Sequence, residues 1–269
     1  MVRVLKIVFG LAVIFYFALL IVFYREQRKL LFFPSHSYTS PAASGANASF
    51  TEIAVTAEDG IALNAWFSPP TGKPCTVVFF HGNADNLATA AQVATPYIAE
   101  GYGFLLAEYR GYSGLPGTAT EKGLYSDARA DLQVLNSRGI DAQHIILFGH
   151  SLGTGVAVQM ASENSVDGLM LLAPYLSIPK VAQVHYPFLP AQWMAKDRFD
   201  NQRKIRSVHA PLLIARGTDD EVVPPSHGDQ LFALANQPKE FHSLQGKGHN
   251  DAFDAFSSVS LHWLAENCR

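Results

Sequence analysis

The sequence lacks most of the features that announce a ligand class. It holds two cysteines in 269 residues, Cys75 and Cys268, too far apart for a metal-binding spacing. One disulfide or two free thiols would satisfy them, and two free thiols is the expectation. The ten histidines include no H-x-H or H-E-x-x-H pair, so no metal site is expected. The net charge is −3, with acidic and basic residues interspersed. Nucleic-acid binding needs clustered Lys and Arg, and that footprint is missing. There is no internal repeat and no low-complexity tract.

Hydrophobic residues, by contrast, make up 48% of the chain, enough for a sizeable core in one large domain or one domain with an appendage. The appendage is at the amino terminus. Ile7 to Tyr24 reads IVFGLAVIFYFALLIVFY, without a charge. As a helix it would be about 27 Å long, close to the hydrocarbon thickness of a bilayer. A cleaved leader has a shorter apolar core and a small-residue site just after it. Here REQRK follows, and the small residues Ala42, Ala43, Ala46 and Ala48 come later. The segment therefore reads as an uncleaved single-pass anchor, residues 1–33, spanning about 7–24. A buried core helix is the weaker reading, because the stretch is apolar on every side. Arg3, Lys6 and the amino terminus balance Arg25, Arg28 and Lys29, so orientation stays open. Asn47-Ala48-Ser49 matches a glycosylation triplet, which has meaning only in a lumenal domain.

Residues 34–50, rich in Pro, Ser, Ala and Gly, read as a linker. Residues 51–67 give two alternating runs around Asp59-Gly60, a hairpin signal. From Thr76 onward, short continuous apolar runs alternate with helical patterns. The strands are TVVFF, FLLAEY, HIILFGH, GLMLLAPY, PLLIARG and EFHSL. The helices are expected over 86–98, 120–137, 153–163, 227–236 and 252–266. Such runs suit strands covered on both faces. The pattern predicts an α/β fold: a mostly parallel sheet entered by an antiparallel hairpin, with helices on both sides, over 51–269. Residues 175–206 interrupt the rhythm and are either a cap over a binding site or a crossover helix with a proline-rich lead-in.

Gly149-His150-Ser151-Leu152-Gly153 falls where a buried strand becomes a helix. A turn that sharp strains its central residue and exposes the side chain at the sheet edge. Glycines on either side let strand and helix approach. A serine hydroxyl needs a base to act as nucleophile. His249, in GKGHND, follows the strand EFHSL and has no apolar periodicity to serve. His227, His242 and His262 lie in helix or strand patterns and read as structural or surface. Asp219 and Asp220 follow the strand PLLIARG and compete for the role of acid. Asp251 reads as a helix N-cap. Loops after parallel strands converge at one sheet edge, so these groups should meet. His81-Gly82 lets the first central strand bend toward the serine. The backbone N–H groups of Asn83 and Leu152 are then the expected oxyanion donors. Leu87 and the aromatics Tyr175, Phe188 and Trp193 are candidates for an apolar acyl pocket.

These residues resemble the α/β-hydrolase superfamily, and within it the BEM46-like branch with its ABHD13- and ABHD17-type membrane-associated serine hydrolases. The segments carrying the resemblance are FFHGNADN, EYRGYSG, EKGLYSDARA, LFGHSLGTG, DRFDN, GTDDEVVPPSHG and GHND, from about Phe50 to the end. The resemblance implies Asp220 as the acid, Ser151 as nucleophile and His249 as base, and an N-terminal hydrophobic segment. Glu108 and Arg216 depart from the pattern, where Asp and His are common. Tyr109-Arg110-Gly111 reads as structural, its Arg fixing the loop near the site.

The expected function is a membrane-anchored serine hydrolase acting on acyl esters or thioesters of lipid-like or small molecules, through Ser151, His249 and Asp220, with no cofactor. The alternatives are a peptidase or amidase on the same fold, or a catalytically inactive membrane-bound binding module.

Overall fold

The computed structural model describes residues 1–46 and 49–268. The glycosylation triplet, at Asn47 and Ala48, lies outside the described residues. Helix α1 (Val2–Leu31) has no fully buried residue. A short turn of helix, α2 (Pro41–Ser44), is capped by the Ser40 side chain. Strands β1 (Thr51–Thr56) and β2 (Ala62–Ser68) form the expected hairpin. There follow β3 (Thr76–Phe80), α3 (Leu87–Ala99), β4 (Gly103–Ala107), α4 (Glu121–Ser137), β5 (Ile145–His150), α5 (Leu152–Glu163) and β6 (Gly168–Leu172). The segment after β6 holds three short helices, α6 (Ile178–His185), α7 (Ala191–Met194) and α8 (Asn201–Lys204). Then come β7 (Leu212–Gly217), α9 (Pro225–Leu234), β8 (Lys239–Leu244) and α10 (Phe253–Asn267).

The eight strands make one mixed sheet in the order β1-β2-β4-β3-β5-β6-β7-β8. β1, β2 and β4 pair antiparallel, and all pairs from β4 to β8 are parallel. Alternation along β3 shows how the sheet is covered. Val78 and Phe80 face a core shared with Leu124 of α4, Val156 of α5 and Leu231 of α9. Val77 and Phe79 face the other side, with Ala94 and Tyr97 of α3 and Phe256 and Trp263 of α10. Buried apolar area on both faces is the main source of cohesion. Strand β6 stops at Leu172, short of the expected Tyr175: Ala173 turns to φ +53° and Pro174 has no N–H to continue a ladder.

Two expectations are corrected. Cys75, at the start of β3, and Cys268, after α10, are joined by a disulfide, not left as free thiols. A separation of 193 residues gave no spacing cue, and only the docking of α10 on the sheet brings them together. Asp251 does not cap α10, whose N-cap is Ala252. Its Oδ1 instead accepts the N–H of Gly248 at 2.7 Å, closing the loop that carries His249.

Candidate active site

The parallel strands end at a common rim, and the loops after β3, β5, β7 and β8 meet there. The turn after β5 is made possible by two missing side chains. A β-carbon on Gly153 would stand 1.9 Å from the Phe80 carbonyl oxygen, and one on Gly149 would stand 2.6 Å from the Gly153 oxygen. With both absent, α5 starts directly against β3 and β5. Ser151 is left at φ +51°, a backbone region costly for a residue with a β-carbon.

Ser151 Oγ lies 2.8 Å from His249 Nε2. His249 Nδ1 lies 2.8 Å from Asp220 Oδ2. A carboxylate can only accept, so Nδ1 carries the proton and Nε2 is the acceptor for the hydroxyl. Asp220 Oδ1 is held by the N–H groups of Val222 at 2.9 Å and Val223 at 2.8 Å. Burial pushes the Asp220 carboxyl up, but the His249 hydrogen bond and charge and these two N–H donors outweigh it and hold it below the ordinary value. Asp219 faces outward and accepts the Thr218 hydroxyl. Of the two acids, the loop thus turns Asp220 inward to His249 and leaves Asp219 outside.

Asn83 and Leu152 flank Ser151 along the same cavity wall. Among the described residues, neither backbone N–H has a protein acceptor, and Leu152 opens helix α5, where N–H groups and the helix dipole favour negative charge. The loop bearing Asn83 is braced by a pair that sequence reading had not placed in the site. His81 Nε2 sits 2.8 Å from Glu108 Oε1, and its Nδ1 sits 2.7 Å from the Gly82 carbonyl. Burial alone would lower the His81 pKa, but Glu108 reverses the sign and raises it. Glu108 also accepts from Ser113 Oγ at 2.6 Å and Leu87 N at 3.4 Å. Glu108 thus ties the loop to the start of α3.

An apolar cavity of about 410 Å³ opens beside Ser151. Tyr175 lines it, and its hydroxyl donates to the Leu152 carbonyl at 3.1 Å. The other three pocket candidates lie elsewhere. Leu87 is buried in the core on the α3 side of the sheet. Trp193 is 88% exposed, and Phe188 packs on Phe23 outside the cavity. The lining comes instead from Ile178, Val181 and Ala182 of α6, from Val222 and Val223, and from the end of α1. His227 is buried in α9, while His242 pairs with Glu240 and His262 is exposed.

This sheet order, with a hydroxyl, an imidazole and a carboxylate on three loops of its rim, defines a hydrolase of the α/β class. The chain belongs to the α/β-hydrolase superfamily. Residues 73–199 match the family model described as serine aminopeptidase, S33. An uncharacterized protein of Mycobacterium tuberculosis, Rv2307c, is 37% identical over 229 residues, covering 84% of this chain and 81% of that one. The human alpha/beta hydrolase domain-containing protein 17B is 35% identical over 181 residues, 65% of this chain and 60% of its own. Among solved structures, the Pyrococcus furiosus esterase Pf2001 superposes with a TM-score of 0.70 at 18% identity, covering 88% of this chain and 97% of that one. That identity is a likeness of fold.

Proposed function

We propose that this protein is a membrane-anchored serine hydrolase that cleaves carboxylic esters or thioesters through an acyl-enzyme on Ser151. The observation that carries the reading is the unbroken relay from Ser151 Oγ to His249 to Asp220, at 2.8 Å for each step, opening on an apolar cavity. His249 Nε2 takes the hydroxyl proton as Oγ attacks the carbonyl carbon. The N–H groups of Asn83 and Leu152 hold the oxyanion, and Asp220 stabilises the imidazolium. The imidazolium then returns its proton to the departing alcohol or thiol. Water, activated by the same imidazole, releases the acid and restores Ser151.

The anchor reading draws on α1, an apolar helix of 30 residues with none fully buried. A leader that is removed has no need of contacts with the mature domain, and the last turns of α1 make several. Arg28 Nε is 2.7 Å from Asp197 Oδ2, Gln27 Oε1 accepts from Lys196 N at 2.7 Å, and Asn83 Nδ2 donates to the Leu31 carbonyl at 3.0 Å. We divide the chain accordingly into an anchor (1–33), a linker (34–50) and a hydrolase domain (51–269) with a cap over 175–206. Placement in the BEM46-like branch is supported by the likeness to the human protein 17B.

Ser151→Ala should lower kcat on p-nitrophenyl butyrate by about a million-fold with the circular dichroism spectrum unchanged. Near-normal turnover would overturn the assignment. The peptidase alternative draws on the name of the matching family model, and parallel kinetics on ester and amide substrates separate the two. A chain inert to a fluorophosphonate probe would point to a binding module.

A further inference from the structure

The last two turns of α1 do more than leave the apolar stretch. Phe23, Gln27, Leu30 and Leu31 line the same cavity as Ser151. Spaced by four, three and one, they form one stripe of a helix, about 12 Å long along its axis. Ile178, Val181, Ala182 and Tyr186 stand among the other lining residues, supplied by α6 and the turn after it. Near the serine, the helix end is locked to the oxyanion loop: Asn83 Nδ2 donates to the Leu31 carbonyl, and Phe33 N donates to the Asn83 carbonyl at 3.1 Å. At its other end the stripe reaches Phe23, inside the stretch read as membrane-embedded.

The cap follows the same helix further up. Tyr16 Oη donates to the Phe188 carbonyl at 2.7 Å, and Phe23 packs on Tyr186 and Phe188 with ring centroids 5.9 and 6.3 Å away. Tyr16 lies about 12 Å along the axis from the Tyr24 end of the apolar stretch. Val184, Phe188 and Trp193 are nevertheless half or more exposed, and Phe188 joins this apolar edge to α1 through Tyr16 and Phe23. Water is a poor neighbour for such an edge and lipid a good one.

We infer that the end of α1 is a wall of the acyl pocket, that Leu30 and Phe23 set the chain length accepted, and that the pocket opens into the bilayer. The substrate is then an acyl ester or thioester already dissolved in the membrane. Its chain lies along α1 and its carbonyl reaches Ser151. This rests on the serine-hydrolase reading and adds to it the source of the substrate and the residues that measure it.

The test uses the full chain reconstituted in phosphatidylcholine vesicles, with p-nitrophenyl butyrate and p-nitrophenyl palmitate. Each methylene buried is worth on the order of fourfold in kcat/KM. Leu30→Trp, which fills the stripe, should lower the palmitate-to-butyrate ratio of kcat/KM at least tenfold. Ile21→Trp, on the exposed face of the helix, should leave it within twofold. If Leu30→Trp does not fold, judged by loss of fluorophosphonate labelling, Phe23→Trp gives the same reading farther from the oxyanion loop. Palmitate ester placed in the enzyme's own vesicles should be cleaved at least tenfold faster than the same ester supplied in separate vesicles. A ratio indifferent to Leu30 and Phe23 would overturn the wall, and equal rates from both vesicle pools would overturn entry from the bilayer. Absence of turnover by the unmodified chain on every ester would instead defeat the hydrolase reading itself.

Discussion

At the position of the elbow, one missing methyl group decides whether the site can exist. Gly153→Ala would drive a β-carbon into the Phe80 carbonyl, and backbone on both sides leaves it nowhere to go. The expected outcome is a loss of about 1–3 kcal/mol in urea denaturation, with esterase activity falling further because Ser151 is displaced. The two neighbouring acids give a sharper contrast. Asp220→Asn should cost about ten-thousand-fold in kcat, by presenting the wrong hydrogen-bond partner to His249. Asp219→Asn should stay within a few-fold. A larger loss at 219 would exchange their roles. His150, beside the serine, offers a pH test. Burial, with His249 close by, lowers its pKa to about 4 from an ordinary 6.5. Between those values the unfolded chain binds a proton that the folded chain refuses, so its contribution is complete above pH 6.5 and is lost as the pH falls toward 4. From pH 7 to 5 the folded state should lose about 2 kcal/mol through this residue, and His150→Gln should flatten that part of the stability curve.

Between elements, the loop after β4 is the hub, and polar groups hold it. Arg110 Nη2 and Nε reach Asp127 Oδ1 of α4 at 2.7 and 2.9 Å, and Nη1 reaches Asp59 Oδ2 of the hairpin turn at 2.5 Å. Asp127 is fully buried and burial raises its pKa against the pull of Arg110. Arg110→Ala should therefore destabilise by about 3–5 kcal/mol in urea, because a buried carboxylate loses its cation and keeps only the backbone N–H of residue 110. Asp59→Ala, at a half-exposed side chain screened by solvent, should cost far less in the same measurement. The elements themselves were legible in the sequence, because continuous apolar strands, helical stripes and the Asp59-Gly60 turn are local signals. The structural reading of Arg110 was legible too, but its partners were not. Asp127 sits at an interior position of α4 whose meaning depends on what packs there. Leu87 shows the converse failure: it was a candidate for the acyl pocket, and only the sheet shows that it packs on the face opposite the cavity.

Across the whole molecule, Ser151, His249 and the Asp219-Asp220 pair could be brought to one rim from sequence because each follows a strand there, while the choice of Asp220 came from the resemblance. The pocket could not be read this way. Phe23 stands at the end of a stretch apolar on all sides and Leu30 and Leu31 follow the charged REQRK run, so no periodicity marks them as one stripe, and the share of α1 in the cavity emerges only from tertiary contact. The cysteine bridge was equally silent. Reducing it, or replacing Cys268 with Ser, should lower stability by about 2–4 kcal/mol and release the end of α10 from β3, measurable as a fall in the thermal midpoint. That cross-link also has a cellular address. Such a bond persists where no thiol-reducing system reaches, which for most cells is the far side of the plasma or inner membrane.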